Sequence, residues 1–128
     1  MRGERERYLI EIGIGCDLHG GDNTKACVKA VKNAMSHCCM VGIHDILRIG
    51  HVQGSLSLKV KLSCPKPDEV DVSQIARLLD HYDTTVNLEK GGANEEGLLV
   101  EELGQGSTIM IAVAVITVYA PVRWKVNG

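Results

Sequence analysis

Eleven consecutive positions, Gly15-Cys16-Asp17-Leu18-His19-Gly20-Gly21-Asp22-Asn23-Thr24-Lys25, gather two acids, one histidine, three glycines, a threonine and a lysine. Together these residue types can move a proton on a small bound molecule. A histidine side chain titrates near neutral pH and can act as acid or base. A nearby carboxylate can fix its tautomer and favour its charged form. His19 is therefore read as the acid/base, Asp17 as its orienter, and Lys25 as the cation that holds an anionic group. The segment follows an apolar run and precedes a helical pattern, so it lies at a strand-to-helix junction. A helix N-terminus there presents free N–H groups and the positive end of a dipole. Gly20 and Gly21 would let the backbone approach a ligand closely, and Asp22 and Thr24 would line it. A purely architectural reading competes: Asp22 as a helix cap, and Asp17 as a turn acid bonded to its own loop.

Other acids fit less well. Glu101 and Glu102 follow an apolar run that reads as a short strand, and adjacent strand residues point to opposite faces. At most one joins a given site, and Glu101 is added as a ligand-binding residue. Glu11 interrupts the first apolar run and needs a partner if buried. Lys59 or Lys61, across the sheet, is the expected one.

Metal ligation is the weaker reading, with Asp17 and His19 as a half-site and no metal residues assigned. Asp17, His19, His37, Cys38, Cys39, His44, Asp45 and His51 supply ligand types. They lack the spacing of a zinc finger, a Cys-x-x-Cys or a His-Glu-x-x-His. Gly13-x-Gly15 lacks both the lysine-serine ending of a P-loop and the third glycine of a dinucleotide fingerprint. A Gly-x-Ser-x-Gly elbow is absent, and the motifs specify no cofactor.

The positioning elements follow from hydrophobic period. Residues 8–14 read as a strand that is apolar on both faces apart from Glu11. Residues 23–37 change to a helical period, with Cys27, Ala30, Val31, Ala34, Met35 and Cys38 on one stripe. Residues 40–53 follow no clean period and read as a loop with a short strand or turn. Residues 54–64 alternate, with Leu56, Leu58, Val60 and Leu62 against Ser55, Ser57, Lys59, Lys61 and Ser63. That pattern favours an antiparallel neighbour. Pro65-Lys66-Pro67 stops the strand. A second helix is expected over residues 71–81, on Val72, Ile75, Ala76, Leu79 and Tyr82. Residues 84–89 alternate again, Gly91-Gly92-Ala93-Asn94 reads as a turn, and residues 98–102 as a short strand. Residues 108–120 are the most apolar and β-branched, hence a central strand.

The 128 residues fit a single domain with one core, residues 1–6 and 121–128 being read as loose tails. The expected fold class is α+β: one mixed or antiparallel sheet of four to five strands, in β-α-β-α-β-β order, with two helices on one face. The final strand is apolar on both of its faces, and two helices cover only one. The other face would then expose a large apolar patch, so a homo-oligomer is expected to bury it. A net charge of −2, with no Phe, one Trp and three Tyr, gives no argument for nucleic acid or for an anionic membrane. The charged start, the lack of a bilayer-length apolar run, and five irregularly spaced cysteines point to a cytoplasmic protein with reduced thiols.

The run Glu11-Ile12-Gly13-Ile14-Gly15-Cys16-Asp17-Leu18-His19-Gly20, followed by Asp22 and Thr24-Lys25-Ala26, resembles the opening of a small family of conserved hypothetical proteins. That family occurs in bacteria and plants and is named after a Listeria locus tag. The resemblance extends to Gly91-Gly92, to residues 97–102 with their Val-Glu-Glu, and to the apolar last strand. It implies one compact domain of this length and draws attention to the Asp-x-His-Gly motif, but implies no reaction.

The expected function is therefore that of a small oligomeric enzyme or binding protein for a small anionic metabolite. The alternatives are a non-catalytic assembly protein whose polar loop only caps a helix and fixes an interface, and a metal-dependent hydrolase.

Overall fold

A computed structural model of the chain describes residues 5–37, 56–103 and 106–121. The elements run β1 (Arg5–Asp17), α1 (Asn23–Ser36), β2 (Ser57–Cys64), α2 (Val72–Leu78), β3 (Asp83–Lys90), β4 (Ala93–Glu96) and β5 (Thr108–Pro121). Short 3-10 turns occupy Pro67–Glu69 and Glu101–Leu103. The fold is α+β as expected, with one strand more than the β-α-β-α-β-β order. Residues 5, 6 and 121, expected in the tails, belong to strands. The loop predicted over residues 40–53 and the vicinal Cys38 and Cys39 lie outside the described residues.

The five strands form one mixed sheet in the order β1-β5-β2-β3. β5 is central: β1 flanks it antiparallel on one side and β2 antiparallel on the other. β2 also pairs with β3, in parallel. The alternation of β2 had pointed only to an antiparallel neighbour, and it has one of each kind.

β4 corrects the sequence reading twice. A strand occupies Ala93–Glu96, where a turn was expected, and residues 98–100 are not strand at all. All four residues of β4 are exposed, so no hydrophobic period marks them. Pairing alone defines the strand: after β2 ends, the chain leaving β3 crosses that end and takes β2's place beside β5, with Ala93 opposite Ile111. Gly92 makes the crossing with φ of 63°, and a Cβ there would sit 2.1 Å from the Ile111 carbonyl oxygen. Only glycine meets both demands.

Both described helices pack on one face. Inward-pointing Gly13 and Gly15 of β1 lie opposite Ala114 and Ala112 of β5 and pave a shallow bed. The small side of α1, Ala26, Ala30 and Ala34, settles onto it, all three fully buried. A Cβ at Gly15 would lie 2.2 Å from the Ala26 carbonyl oxygen, and one at Gly13 2.3 Å from that of Ala30. Backbone thus meets backbone. Larger residues fill the core to either side: Val31, Val60, Leu62, Ile75, Leu79, Ile116 and Val118. Of the α2 stripe only Ile75 is buried within the helix, with Leu79 at its C-terminal cap, while Val72 is 42% exposed. Cys27 of α1 and Cys64 of β2 are free, fully buried thiols in contact. Burial, reinforced by Cys64, pushes the Cys27 thiol up to about 12.

The opposite face carries no helix among the described residues. Ile10, Ile12 and Ile14 of β1 are 50–59% exposed there. Glu11 is buried on the helix side, whereas Lys59 and Lys61 are exposed on the outer side. Neither lysine is therefore the expected partner of Glu11: they point to the other face, on a strand separated from β1 by β5.

Candidate functional site

The end of β1, the start of α1 and residues 66–71 meet at one edge of the helix layer, held by side-chain bonds to backbone. Asp17, the last residue of β1, is buried, and its Oδ2 accepts the Asp22 N–H at 2.7 Å. Asp22 in turn caps α1, its Oδ1 accepting the Lys25 N–H at 3.1 Å. Two carboxylates thus stand at the positive end of the α1 dipole. Between them the loop is pinned by a bridge from Gly20 to Thr108 at the start of β5, and Gly21 turns it with φ of 61°.

The first turn of α1 holds the neighbouring segment. Asn23, 2% exposed, accepts the Lys66 N–H on its Oδ1 at 3.0 Å and donates from Nδ2 to Glu69 Oε1 at 3.3 Å. Thr24 Oγ1 accepts the Asp71 N–H at 2.9 Å. Asp71 caps α2 through the Ser73 N–H and also accepts from the Ser73 hydroxyl and the Gln74 amide. Those hydrogen bonds hold its carboxyl below the usual carboxylate range.

The sequence-predicted residues therefore separate. Asp17, Gly20, Gly21, Asp22, Thr24 and Lys25 do converge on this junction. Asp17, Asp22 and Thr24 are hydrogen-bonded within the chain, and Lys25 is exposed, its backbone in the cap. His19 is partly exposed, but its Nδ1 is shielded from solvent and has no hydrogen-bond partner among the described residues. Among the described residues no hydrogen bond joins Asp17 to His19, so the expected orienting role has no such contact. Glu101 lies in an exposed 3-10 turn instead of a strand, and no hydrogen bond or ion pair ties it to the junction among the described residues.

Sequence reasoning missed Asn23 as a clamp, although a polar residue at the head of an apolar helical stripe was a weak signal. It also missed residues 66–71 as the third wall, which nothing in their spacing announces. Among the described residues no group of three or more His, Cys, Asp or Glu side chains is placed to hold a metal ion. A hollow of about 310 Å³, lined by Ser57, Leu58, Lys59, Asp83, Thr85 and Tyr119, lies at the other end of β5, away from this junction. Among the described residues no helix is long and apolar enough to cross a membrane.

Comparison with solved structures places the fold. An FtsZ-like protein of unknown function from Nostoc punctiforme PCC 73102 is 29% identical, with a TM-score of 0.80 over 92% of this chain and 98% of that one. An FtsZ dimer from M. jannaschii is 12% identical, with a TM-score of 0.36 over 95% of this chain and 34% of that one, too slight a likeness to carry an argument. No curated protein matches the chain. A family model matches residues 7–118, which hold both the Asp-x-His-Gly motif and the sheet that positions it, and the chain thus belongs to Lin0512_fam, a family of conserved hypothetical proteins.

Proposed function

We propose that the β1–α1 junction binds a small polar molecule and that His19 is the residue that meets it, in a cytoplasmic protein. The shielded Nδ1 of His19, without a partner among the described residues, carries this reading. A buried polar atom without a partner is costly, and such atoms recur where a ligand or a reacting group completes the bond. The imidazole sits on a loop fixed at both ends by Asp17 and by the Gly20–Thr108 bridge, so its position is set before anything binds. Anionic groups on the ligand are held by Lys25. The Asp22 and Lys25 N–H groups are already engaged by the chain's own carboxylates, and a further anion at the helix end would meet both of them. Proton transfer at His19 then supports isomerisation, hydrolysis or lyase chemistry.

The test is a thermal-shift screen of small carboxylates and phosphates on the wild type beside His19→Ala. A ligand at a hundred times its Kd adds roughly 2.7 kcal/mol to stability. A compound that raises the melting temperature of the wild type alone supports the site. Equal shifts in both proteins place binding elsewhere.

A second reading, a non-catalytic assembly protein, is favoured by a different observation. Asp17, Asp22, Asn23 and Thr24 are all engaged in bonds that join β1, α1 and residues 66–71. His19→Ala that lowers thermal stability with no ligand effect would favour it.

A further inference from the structure

We infer that the outer face of the sheet is a two-fold interface with a second copy of this chain. This rests on the sheet alone and is independent of the His19 site. Three observations carry it.

The first is the apolar centre. Ile10, Ile12 and Ile14 of β1 are 50–59% exposed, and Ile111, Val113 and Val115 of β5 stand beside them on the same side, opposite to the buried Met110, Ala112 and Ala114. From Ile109 to Tyr119 the face runs about 33 Å, and across four strands it is about 15 Å wide. That is on the order of 500 Å² in projection, comparable with the roughly 800 Å² per partner of a standard interface.

The second is charge, which is divided along the strand direction. In the half toward Tyr119, Arg7 lies opposite Tyr119, Arg5 reaches Ser57, and Lys59 and Lys61 are exposed on β2 in the rows of Ile10 and Ile12, with Asp83 the acid among them. In the half toward Ile109 stand Glu89, in the row of Ile14, which accepts from Ser63, and Glu95, opposite Ile109. An apolar strip on β1 and β5 thus runs beside a charged strip on β2, β3 and β4, and the charged strip passes from basic to acidic along the strands. A two-fold axis running across the strands reverses strand direction between copies. It lays the basic end of each copy over the acidic end of the other and stacks isoleucines on isoleucines. In such an isologous contact the basic-over-acidic pairing forms twice. A parallel stack would set like charges together.

The third is the hollow lined by Ser57, Leu58, Lys59, Asp83, Thr85 and Tyr119, which lies toward Tyr119, across from the place the reversed copy gives its Glu95. A recess at one end and a projecting acid at the other are what a self-complementary surface requires.

Charge reversal provides the test. Light scattering on the full chain at tens of micromolar should give a dimer or another even-numbered assembly. Lys59→Glu with Lys61→Glu makes both ends acidic, and Glu89→Lys with Glu95→Lys makes both ends basic. Each double variant alone should shift to monomer, with the dissociation constant raised at least tenfold and the circular dichroism unchanged. Mixed one to one, the two variants should pair with each other and restore the wild-type mass. Ile12→Asp should also give monomer. A monomeric or odd-numbered wild type overturns the proposal. An assembly indifferent to both reversals, or folded variants that fail to pair on mixing, overturns it equally.

Discussion

The two faces of one sheet differ in a way that runs against simple hydrophobicity. On the helix side β1 presents Glu11, Gly13, Gly15 and Asp17, and that face is buried. On the outer side the same strand presents Ile10, Ile12 and Ile14, which any transfer scale would send inward, and these are 50–59% exposed. The reason is distance. α1 lies so close to β1 that no Cβ fits between them, so glycine and alanine occupy the contact and the large side chains turn away. Small residues at alternate strand positions mark where a helix backbone must come in. Large ones on the other parity turn to the outer face, where Ile10, Ile12 and Ile14 stand exposed.

That contrast is broken most severely at Gly15. Gly15→Val places side-chain atoms where the α1 backbone already stands, and is expected to cost about 3 kcal/mol or more. Ile14→Ala, one residue away on the outer face, is expected to cost the isolated subunit less than about 1 kcal/mol. Urea unfolding of both variants under conditions that keep the chain monomeric measures the difference. Comparable losses would mean that α1 does not rest on the glycine bed.

The helix side is also held at its rim. Asn23→Ala removes a buried acceptor and leaves the Lys66 N–H without its partner, an expected loss of about 2 kcal/mol. Asp22→Ala removes only the α1 cap, an expected loss of about 1 kcal/mol. The order of the two denaturation midpoints checks whether the clamp to residues 66–71 outweighs the cap.

The smallest effect is a pH dependence. Ser73 and Gln74 hold the Asp71 carboxyl below its ordinary value, so the folded-state pKa is the lower one. Its contribution is present above the unfolded value of about 4 and is lost as pH falls through the lowered folded value. Asp71→Asn keeps a capping residue but removes the titration. The acid limb of its stability profile should therefore be flatter than that of the wild type, and an unchanged limb would remove Asp71 from the account.

Much of the scaffold was legible because its period is local. The α1 stripe, the alternation of β2 and β3, and the β-branched run of β5 each state which residues share a face. The Asp22 cap and the convergence of residues 17–25 at a strand–helix junction follow from the same local chemistry. β4 was not legible, because its four exposed residues carry no pattern and only β5 makes them a strand. Glu101 was misplaced for the same reason: with the strand moved to residues 93–96, it falls in the turn beyond it.

The sequence by itself determined the types of the elements that carry a hydrophobic period, the junction where polar groups collect, and the central place of β5, since propensity, capping and hydrophobic period act over a few residues. Only the tertiary structure decided which parity of β1 faces α1, which strands neighbour one another, and that Asn23 and Thr24 reach residues some 45 positions away. Those are contacts between segments far apart in the chain, set by how closely two backbones can approach and by which buried polar groups find partners.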